Sequence, residues 1–374
     1  SISFSENWTL LNINPVRKTN KYNRFFGFIK ALYKESMALK LFLKFFFLLP
    51  VWLLRILTFQ RSIVINNQIL DHQTQAFLGL QSLQLNDLDG AIGISSAQEL
   101  RDMLIEGLPL SAKPCQPLKV VDHLLSTKFG DLKIREYCPD KCSVSSPILY
   151  FHGGGYVFGG IDSHDAWLQF FSAEIGTKIF ALDYRLAPEN KFPCSLQDAN
   201  LAIEWLAEKL DIKIKDISIC GDSAGGHLAT SLSTYRAINN FELPSSQCLI
   251  YPMTDPACDS KSQNDYASGF LLSQKAMIWF WEQLKESNIN MSDPTFNLTI
   301  DPAVKLPKTL IITAGFDPLS DEGEAYARML NNSDNDVQQI HYPHLIHGFV
   351  NMTSLKAAKD ATKDLLEAYK NFLK

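Results

Sequence analysis

One serine of this sequence stands between glycines, at the point where an apolar strand pattern gives way to a helical one. The stretch ICGDSAGGHLA, residues 219–229, places Ser223 at the centre of a G-x-S-x-G motif. In such a motif the serine occupies the tip of a strained strand-to-helix turn, where its hydroxyl is presented for nucleophilic attack. Gly221 and Gly225 are needed because a Cβ there would collide with the neighbouring strand and helix. The alternative is a glycine-rich turn that carries an idle serine.

A serine hydroxyl is a weak nucleophile at neutral pH, so a histidine base must lie within hydrogen-bond reach. In a sheet of this kind the acid and then the histidine follow the serine in the chain. His344 and His347 fall in the loop after the last predicted strand, and we choose His347 because the glycine after it allows a close turn. His227 lies one helical turn beyond the serine and should point down its own helix. His341 lies within the last strand and is expected to be structural.

Two carboxylates follow predicted strands, in the position where the third member of a triad would stand. Asp317, in AGFDPLSDE, comes directly after the strand at 309–315, and we choose it as the residue that orients the histidine. Asp255, in YPMTDP, follows the preceding strand and is the alternative. Asp321 lies one turn into the next helix, so it is expected to anchor the loop or to cap that helix.

A glycine-rich loop supplies the remaining requirement, which is the stabilisation of an oxyanion. The segment FHGGGYVFGG, residues 151–160, follows a predicted strand, and its glycines leave backbone N–H groups unobstructed. Gly154 and Gly155 can donate two N–H groups, and Ala224 can donate a third. A phosphate-binding loop is excluded because no Lys-Ser or Lys-Thr pair follows the glycines. His152 stands at the strand end before them, so we expect it to anchor the loop rather than to act as a base.

These residues need a scaffold that brings them to one edge, and the rest of the sequence predicts one. Short apolar runs predict six strands, at 146–152, 178–184, 216–221, 248–252, 309–315 and 337–343. Helical patterns alternate with them, near 164–175, 195–210, 224–238, 319–332 and 355–373. Two earlier runs, VVDHLLS and LKIREYC, predict a leading β-meander. The alternation indicates a parallel sheet covered on both faces, with ligands bound at the carboxyl ends of its strands.

One connection in this pattern is too long to be a structureless loop. More than 50 residues separate the strands at 248–252 and 309–315, and they include the aromatic segment SQKAMIWFWEQLKE, residues 273–286. Its apolar residues are predicted to share one face of a helix, and they are Met277, Ile278, Phe280, Trp281 and Leu284. We therefore expect a lid or cap over the reactive edge of the sheet.

Composition argues against several classes of function. The 374 residues are 46% hydrophobic and 20% charged with a net charge of −5, which fits a globular protein and gives no sign of nucleic-acid binding. The seven cysteines show no zinc spacing, and their odd number argues against a disulfide framework. A zinc site built from His341, His344 and His347 would lack an acidic partner. We therefore predict no metal site.

The first 65 residues differ in character from the rest. They carry ten Lys or Arg and two Glu, whereas the remainder carries 25 Lys or Arg and 38 Asp or Glu. Their apolar run, residues 38–59, has only ten uncharged residues between Lys44 and Arg55, where a membrane span needs about 20. No signal peptide is predicted, because the apolar run starts too far into the chain. We expect an intracellular protein, either cytoplasmic or peripherally associated with a membrane.

A basic stripe within this segment predicts a membrane-interface helix. On a helix, Lys30, Lys34, Lys40 and Lys44 project within about 120° of one another, while apolar side chains fill the remaining surface. Such a helix can lie against anionic head groups with its apolar face in the acyl boundary. Residues 1–60 are therefore expected to make peripheral membrane contact, and extra cap helices packed on the protein are the alternative.

Taken together, the motifs resemble the hormone-sensitive-lipase family of α/β-hydrolases, the bacterial family IV esterases. The resemblance is carried by HGGGYVFGG, DYRLAPENKFP, GDSAGG, YPMTDP, DPLSDEGEAYA and IHGF. It covers about residues 66–374, because LDHQTQAFLGLQ at 70–81 also resembles the family's N-terminal cap helix. His344 stands where the family usually has a small residue, and residues 1–65 have no counterpart in its common soluble members.

The resemblance implies an α/β-hydrolase fold, in which a mostly parallel twisted sheet is flanked by helices and a helical cap covers the active site. The cap would comprise about residues 66–115 and 253–305 of a domain spanning 66–374, with residues 1–65 as an extension. The implied triad and oxyanion hole are those chosen above, namely Ser223, Asp317 and His347, and Gly154, Gly155 and Ala224.

The activity implied by the resemblance is cofactor-independent hydrolysis of carboxylic esters with lipophilic acyl chains, through an acyl-enzyme. The expected partner is therefore a small-molecule ester. One alternative is a non-catalytic small-ligand receptor on the same scaffold, as in the plant gibberellin receptors that resemble this family. Another is an amidase or acyltransferase that uses the same triad.

Overall fold

The computed structural model describes residues 53–54, 61–81, 89, 92, 95–104, 111–287 and 289–373. The chain divides into two compact units, Ser1–Gln84 and Leu85–Lys374. The predicted boundary between an extension and a hydrolase domain at residue 65 remains a prediction. The basic stripe of the N-terminal segment lies outside the described residues.

The described part of the first unit is a hairpin followed by a helix. Strands β1 (Val64–Ile65) and β2 (Gln68–Ile69) pair antiparallel across Asn66 and Asn67. Both asparagines have positive φ, 51° and 61°, as the type I′ turn of a two-residue hairpin requires. Helix α1 (His72–Gln81) begins after Asp71, whose carboxylate accepts the Thr74 N–H at 2.8 Å and so caps the helix. The helix confirms the helical reading of residues 70–81, while its role as a cap stays a prediction.

The second unit is built on a sheet of eight strands in the spatial order β10-β9-β8-β7-β5-β6-β4-β3. The strands are β3 (Leu118–Thr127), β4 (Gly130–Pro139), β5 (Ile148–Phe151), β6 (Ile179–Asp183), β7 (Ser218–Asp222), β8 (Ser246–Ile250), β9 (Lys308–Phe316) and β10 (Val337–Ile346). β4 pairs antiparallel with β3 and β6, and every other neighbouring pair is parallel. The carboxyl ends of β5 and of β7 to β10 consequently meet at one edge, where ligands bind in sheets of this class.

Helices flank this sheet and alternate with its strands as predicted. They are α2 (Ala97–Leu104), α3 (Ile161–Ile175), α4 (Cys194–Leu210), α5 (Ala224–Ile238), α6 (Lys261–Asp265), α7 (Gln274–Leu284), α8 (Ser320–Asn332) and α9 (Lys356–Phe372). Strand residues such as Leu149 and Ile219 belong to the same buried apolar cluster as Phe280 and Trp281 of α7. The insertion between β8 and β9 therefore shares the core of the sheet.

The main correction to the predicted elements concerns the last strand. We expected a strand ending at Pro343 with His344 in the following loop, but β10 continues to Ile346 and His344 lies inside it. Proline interrupts a hydrogen-bond ladder, and it is tolerated here because β10 is the edge strand of the sheet. The register shifts between Tyr342 and Ile346, and pairing resumes with Ile346 opposite Phe316.

A second correction concerns the aromatic helix of the insertion, α7. Met277, Phe280, Trp281 and Leu284 are buried as predicted, but Ile278 is 44% exposed. Ile278 projects about 100° from Met277 around the helix, outside the buried arc. The buried face of α7 instead extends in the opposite direction around the helix. It includes Trp279, which the predicted apolar face did not.

Two further observations concern membranes and metals. In the ranges given above, none of the helices is both long enough and apolar enough to cross a bilayer. Within the same described part of the chain, no three His, Cys, Asp or Glu side chains are grouped as a metal site would require.

Candidate active site

Ser223 occupies a strained turn between β7 and α5. Its φ of 55° and ψ of −118° are unusual for a residue with a side chain, and such strain persists only where the surroundings impose it. The Ser223 N–H donates to the carbonyl of Ile250 at 2.8 Å, which ties the turn to the end of β8. A Cβ on Gly221 would lie 2.2 Å from the Gly225 oxygen, and one on Gly225 would lie 1.9 Å from the Phe151 oxygen. The predicted need for both glycines is thus steric, as expected.

His347 bridges the serine and a buried carboxylate. Its Nε2 lies 3.0 Å from the Ser223 Oγ, and its Nδ1 lies 2.8 Å from Oδ2 of Asp317. Asp317 is fully buried, and its other oxygen accepts the Leu319 N–H at 2.8 Å. Because a carboxylate only accepts, the proton on the imidazole belongs on Nδ1, and Nε2 is left to accept the serine proton.

The fold explains why these three side chains meet although 124 residues separate Ser223 from His347. Ser223 follows β7, Asp317 follows β9 and His347 follows β10, so all three stand at the carboxyl edge of the sheet. The ring of Tyr251, which follows β8, packs 4.5 Å from the His347 imidazole. Sequence reasoning missed Tyr251, although it stands in the YPMTDP motif that was singled out.

The other candidate histidines are occupied elsewhere. His344 is exposed, and His341 Nδ1 lies 2.9 Å from the Thr313 hydroxyl of the neighbouring strand. His227 is fully buried and contacts the ring of Trp281 in the insertion. His152 donates from Nδ1 to the Gly153 carbonyl at 2.8 Å, and burial lowers its pKa to about 3. It anchors the loop, as expected.

The alternative acids also have other roles. The Asp255 carboxylate accepts the Ala257 N–H at 2.9 Å within its own loop, whereas Asp317 holds the histidine. Asp321 accepts the Ser262 N–H at 2.7 Å, so it anchors the loop as predicted.

The glycine-rich loop turns sharply after β5. Gly154 and Gly155 have φ of 116° and 61°, in the region that favours glycine. The Gly154 carbonyl accepts the Phe158 N–H at 2.8 Å, which closes the turn. Within the part of the chain that the structure describes, the N–H groups of Gly154, Gly155 and Ala224 have no hydrogen-bond partner. Three unpaired donors therefore follow the carboxyl ends of the neighbouring strands β5 and β7.

A buried carboxylate ties this loop to the serine turn. Asp222, directly before Ser223, accepts the Gly153 N–H at 2.9 Å and the Tyr150 hydroxyl at 2.6 Å. Burial alone would raise the pKa of Asp222. The nearby His164 and the hydrogen bonds that the Asp222 carboxylate accepts outweigh this effect, so the pKa is lowered. Sequence reasoning missed this network. The one feature of the sequence that pointed to it is the ionisable residue Asp222 at the first variable position of the G-x-S-x-G motif.

Helix α7 of the insertion covers the loop with aromatic rings. A Cβ on Gly155 would lie 2.3 Å from the ring of Phe280, so that ring rests directly on the glycine. Phe158 contacts Phe280 at 5.4 Å and Trp279 at 5.7 Å between ring centroids. Arg101 of α2 also holds the glycine-rich loop, because its Nε donates to the Val157 carbonyl at 2.7 Å. The Gly155 side of the loop is therefore covered by aromatic rings.

Comparison with known proteins places this geometry in a family. A family model described as the alpha/beta hydrolase fold matches residues 148–351. The ethyl acetate hydrolase of Pseudomonas putida is 37% identical over 69% of this chain and 85% of that protein. The carboxylic ester hydrolase LipN of Mycobacterium tuberculosis is 31% identical over 85% of this chain and 87% of that protein.

Solved structures agree with the sequence comparison. A thermostable esterase from Pseudomonas putida ECU1011 superposes with a TM-score of 0.74 at 25% identity, covering 82% of this chain and 98% of that one. A hyperthermophilic esterase from the archaeon Pyrobaculum calidifontis gives a TM-score of 0.73 at 28% identity, covering 80% and 97%. The chain belongs to the α/β-hydrolase fold family, within the hormone-sensitive-lipase group of carboxylic ester hydrolases known as family IV.

Proposed function

We propose that this chain is a serine carboxylesterase whose catalytic triad is Ser223, His347 and Asp317. The observation that carries the proposal is the position of the His347 imidazole, 3.0 Å from the Ser223 Oγ and 2.8 Å from the Asp317 carboxylate. A nucleophile, a base and an orienting acid in this order perform acyl transfer on several unrelated folds.

The reaction follows from the placement of the protons. Ser223 Oγ attacks the acyl carbon of the ester while His347 Nε2 takes the hydroxyl proton. The imidazolium is stabilised by Asp317 and returns the proton to the alkoxide as the alcohol leaves. Water then attacks the acyl-serine while His347 takes one of its protons. His347 returns this proton to Ser223 Oγ as the bond from Oγ to the acyl carbon breaks, and the carboxylic acid is released.

The developing oxyanion is proposed to bind the N–H groups of Gly154, Gly155 and Ala224. Their lack of another hydrogen-bond partner, at the ends of the adjacent strands β5 and β7, supports this assignment. Such donors stabilise charge that appears only in the tetrahedral intermediate. The aromatic rings of Phe158 and Phe280 lie over the Gly155 side of this loop, which lowers the local polarity and strengthens a hydrogen bond made there.

The substrate is proposed to carry a lipophilic acyl chain, because the residues of α7 that cover the site are apolar. The related proteins are named for ethyl acetate and for aryl and other carboxylic esters, so the ester bond is the feature that their substrates share. A non-catalytic receptor has no need for an intact triad, so the geometry favours an enzyme. An amidase or acyltransferase would use the same residues. Comparing the turnover of matched ester and amide substrates separates ester hydrolysis from these activities.

Rates on p-nitrophenyl esters from acetate to decanoate test the proposal. The wild-type chain should hydrolyse them with saturable kinetics, and Ser223→Ala should lower kcat by several orders of magnitude. Stoichiometric phosphonylation of Ser223 by an alkyl p-nitrophenyl phosphonate provides a second readout. Hydrolysis that survives in Ser223→Ala, or faster turnover of matched anilides than of esters, would contradict the assignment.

We also propose that residues 1–60 hold the enzyme against an anionic membrane. The support is their sequence alone, a basic stripe on an apolar pattern, since these residues lie almost entirely outside the described ranges. Such contact would place the active site near a supply of lipophilic esters.

Liposome flotation tests the membrane proposal. The full chain should float with vesicles containing phosphatidylglycerol and should float less at high salt, because screening weakens the attraction. A chain that begins near Asn66 should stay at the bottom of the gradient. Equal flotation of both chains, or of neither, would refute the proposal.

A further inference from the structure

Tyr156 is a strained residue directly beside the two oxyanion glycines. It follows Gly155, its φ is 64°, and its side chain is fully buried. A large side chain rarely adopts this left-handed conformation, and it persists only where other contacts hold it in place. The Tyr156 carbonyl accepts the Ala187 N–H at 2.9 Å, which fixes one end of the residue.

The other end of Tyr156 is held by His227. The phenol oxygen lies 2.6 Å from His227 Nδ1, while His227 Nε2 lies 2.8 Å from the carbonyl oxygen of Phe296. A carbonyl can only accept, so Nε2 carries the ring proton. Nδ1 is then an acceptor, and the Tyr156 hydroxyl donates to it. The contact with Phe296 therefore selects the single neutral tautomer that can hold Tyr156.

This histidine connects three segments that the reaction needs. It stands on α5, one turn after Ser223, and its partners lie in the glycine-rich loop and in the insertion between β8 and β9. The rings of Trp281 and Phe296 enclose it edge-on, with the Trp281 centroid 5.3 Å away. Burial lowers the pKa of His227 to about 4, so the ring is neutral at neutral pH, as the tautomer requires.

We propose that His227 is a positioning residue that couples the insertion to the oxyanion loop. The Phe296 carbonyl fixes its tautomer, the tautomer holds the Tyr156 hydroxyl, and Tyr156 keeps the Gly154 and Gly155 N–H groups aimed at the reacting carbonyl. The inference rests on the proposed esterase function. It adds that the packing of the insertion against His227 determines how well the N–H groups of Gly154 and Gly155 are oriented toward the oxyanion.

Substitutions that each replace only one of the two hydrogen-bonding nitrogens of His227 test this coupling. By bond count, an asparagine side chain reaches as far as Nδ1 and a glutamine side chain reaches as far as Nε2. His227→Asn can thus keep an acceptor for Tyr156, while His227→Gln can keep the donor to Phe296. Tyr156→Phe removes only the hydroxyl. The matched control is Ser231→Ala, because the Ser231 hydroxyl lies 3.3 Å from the same Nδ1 and Ser231 belongs to α5 rather than to the loop or the insertion.

The variants should separate kcat from KM on p-nitrophenyl butyrate. Tyr156→Phe and His227→Gln should each lower kcat about tenfold with little change in KM, because oxyanion donors act mainly on the transition state. The double variant should lose no more than the single ones, since both remove the same hydrogen bond. His227→Asn should keep kcat within about twofold while raising KM, and Ser231→Ala should match the wild type in both constants.

A trifluoromethyl ketone supplies a readout that a merely structural role would not move. Its tetrahedral adduct places an oxyanion on the same donors, so its affinity should fall in Tyr156→Phe and His227→Gln in proportion to kcat/KM. Unchanged kcat in Tyr156→Phe, additive losses in the double variant, or an unchanged inhibitor affinity would each overturn the coupling. Tyr156→Phe removes a single oxygen, so the test stands even where His227→Gln does not fold. Failure of the esterase proposal itself would show instead as wild-type activity that survives in Ser223→Ala.

Discussion

The imidazole of His347 has a partner on each nitrogen, and this determines which proton it can move. Asp317 holds Nδ1 and Ser223 faces Nε2, so the ring is oriented before any substrate arrives. His344, three residues earlier, has no such setting, because β10 carries its side chain out to solvent. Residue type and proximity in sequence are therefore insufficient to identify the base.

This difference predicts the ranking of two alanine variants. His347→Ala should lower kcat by several orders of magnitude, because no other group can take the serine proton. His344→Ala should retain activity close to that of the wild type. Steady-state rates on a p-nitrophenyl ester measure both, and a larger loss in His344→Ala would show that the base is wrongly assigned.

Asp317 is predicted to act through the tautomer of His347. In Asp317→Asn the amide can present its N–H₂ group to Nδ1, which would move the ring proton to Nε2 and block acceptance from the serine. A substitution of this kind lowers kcat about 10⁴-fold in a related triad. Asp255→Asn is the matched control, since the Asp255 carboxylate accepts the Ala257 N–H within its own loop, and it should leave most activity. Comparable losses in two folded variants would contradict the assignment.

At the scale of elements, periodicity and motif order predicted most of what positions the site. The strand and helix alternation, the ends of β7 and β9, and the steric role of Gly225 all follow from local sequence. The extension of β10 through Pro343 did not follow, because only its place at the sheet edge makes a proline acceptable there.

Contacts between distant segments were beyond local reasoning. The Tyr156 hydroxyl meets a histidine 71 residues away, and Asp222 holds the N–H of a glycine 69 residues earlier. Each pairing depends on how the insertion and the loop pack, which no periodic pattern encodes. The histidine on α5 was expected to point down its own helix, whereas it bonds to Tyr156 of the glycine-rich loop and to Phe296 of the insertion.

The position of α7 predicts a specificity role for Phe280. Its ring lies against Gly155, one of the proposed oxyanion donors. Phe280→Ala should raise kcat/KM for octanoate relative to acetate esters, because the removed ring leaves room for a longer chain. The variant should also lose about 3–5 kcal/mol of stability, as expected for truncating a buried aromatic side chain, so its folding is checked by thermal unfolding.

Ile278→Ala provides the control on the same helix, since that side chain is 44% exposed. It should leave the chain-length profile unchanged. An identical profile in folded Phe280→Ala would show that Phe280 contributes to packing alone.

For the whole molecule, the buried carboxylate of Glu322 connects the insertion to the body of the fold. Located on α8, it accepts the Thr254 N–H at 2.7 Å and the Gln263 side-chain amide at 3.1 Å, both from the insertion. Burial raises its pKa to about 8, although these hydrogen bonds favour the ionised form and oppose the shift. The desolvation of the carboxylate is therefore the larger effect.

A pKa that is raised on folding makes stability depend on pH in one direction. The folded chain holds a proton on Glu322 that the unfolded chain, with a pKa near 4.5, has already released. The stabilisation is fully present below about pH 4.5, and it is lost as the pH rises to about 8. Above pH 8 both states are ionised, and the contribution of Glu322 no longer changes.

Glu322→Gln should remove this dependence, because glutamine keeps an acceptor oxygen for Thr254 and does not titrate. Between pH 5 and pH 8 the Tm of the wild type should therefore fall more steeply than that of the variant, as measured by differential scanning calorimetry. Glu367→Gln, an exposed glutamate on α9, should give a curve parallel to the wild type. If the wild-type Tm relative to Glu322→Gln instead rose with pH, the hydrogen bonds from the insertion would outweigh burial, and Glu322 would be ionised in the folded chain.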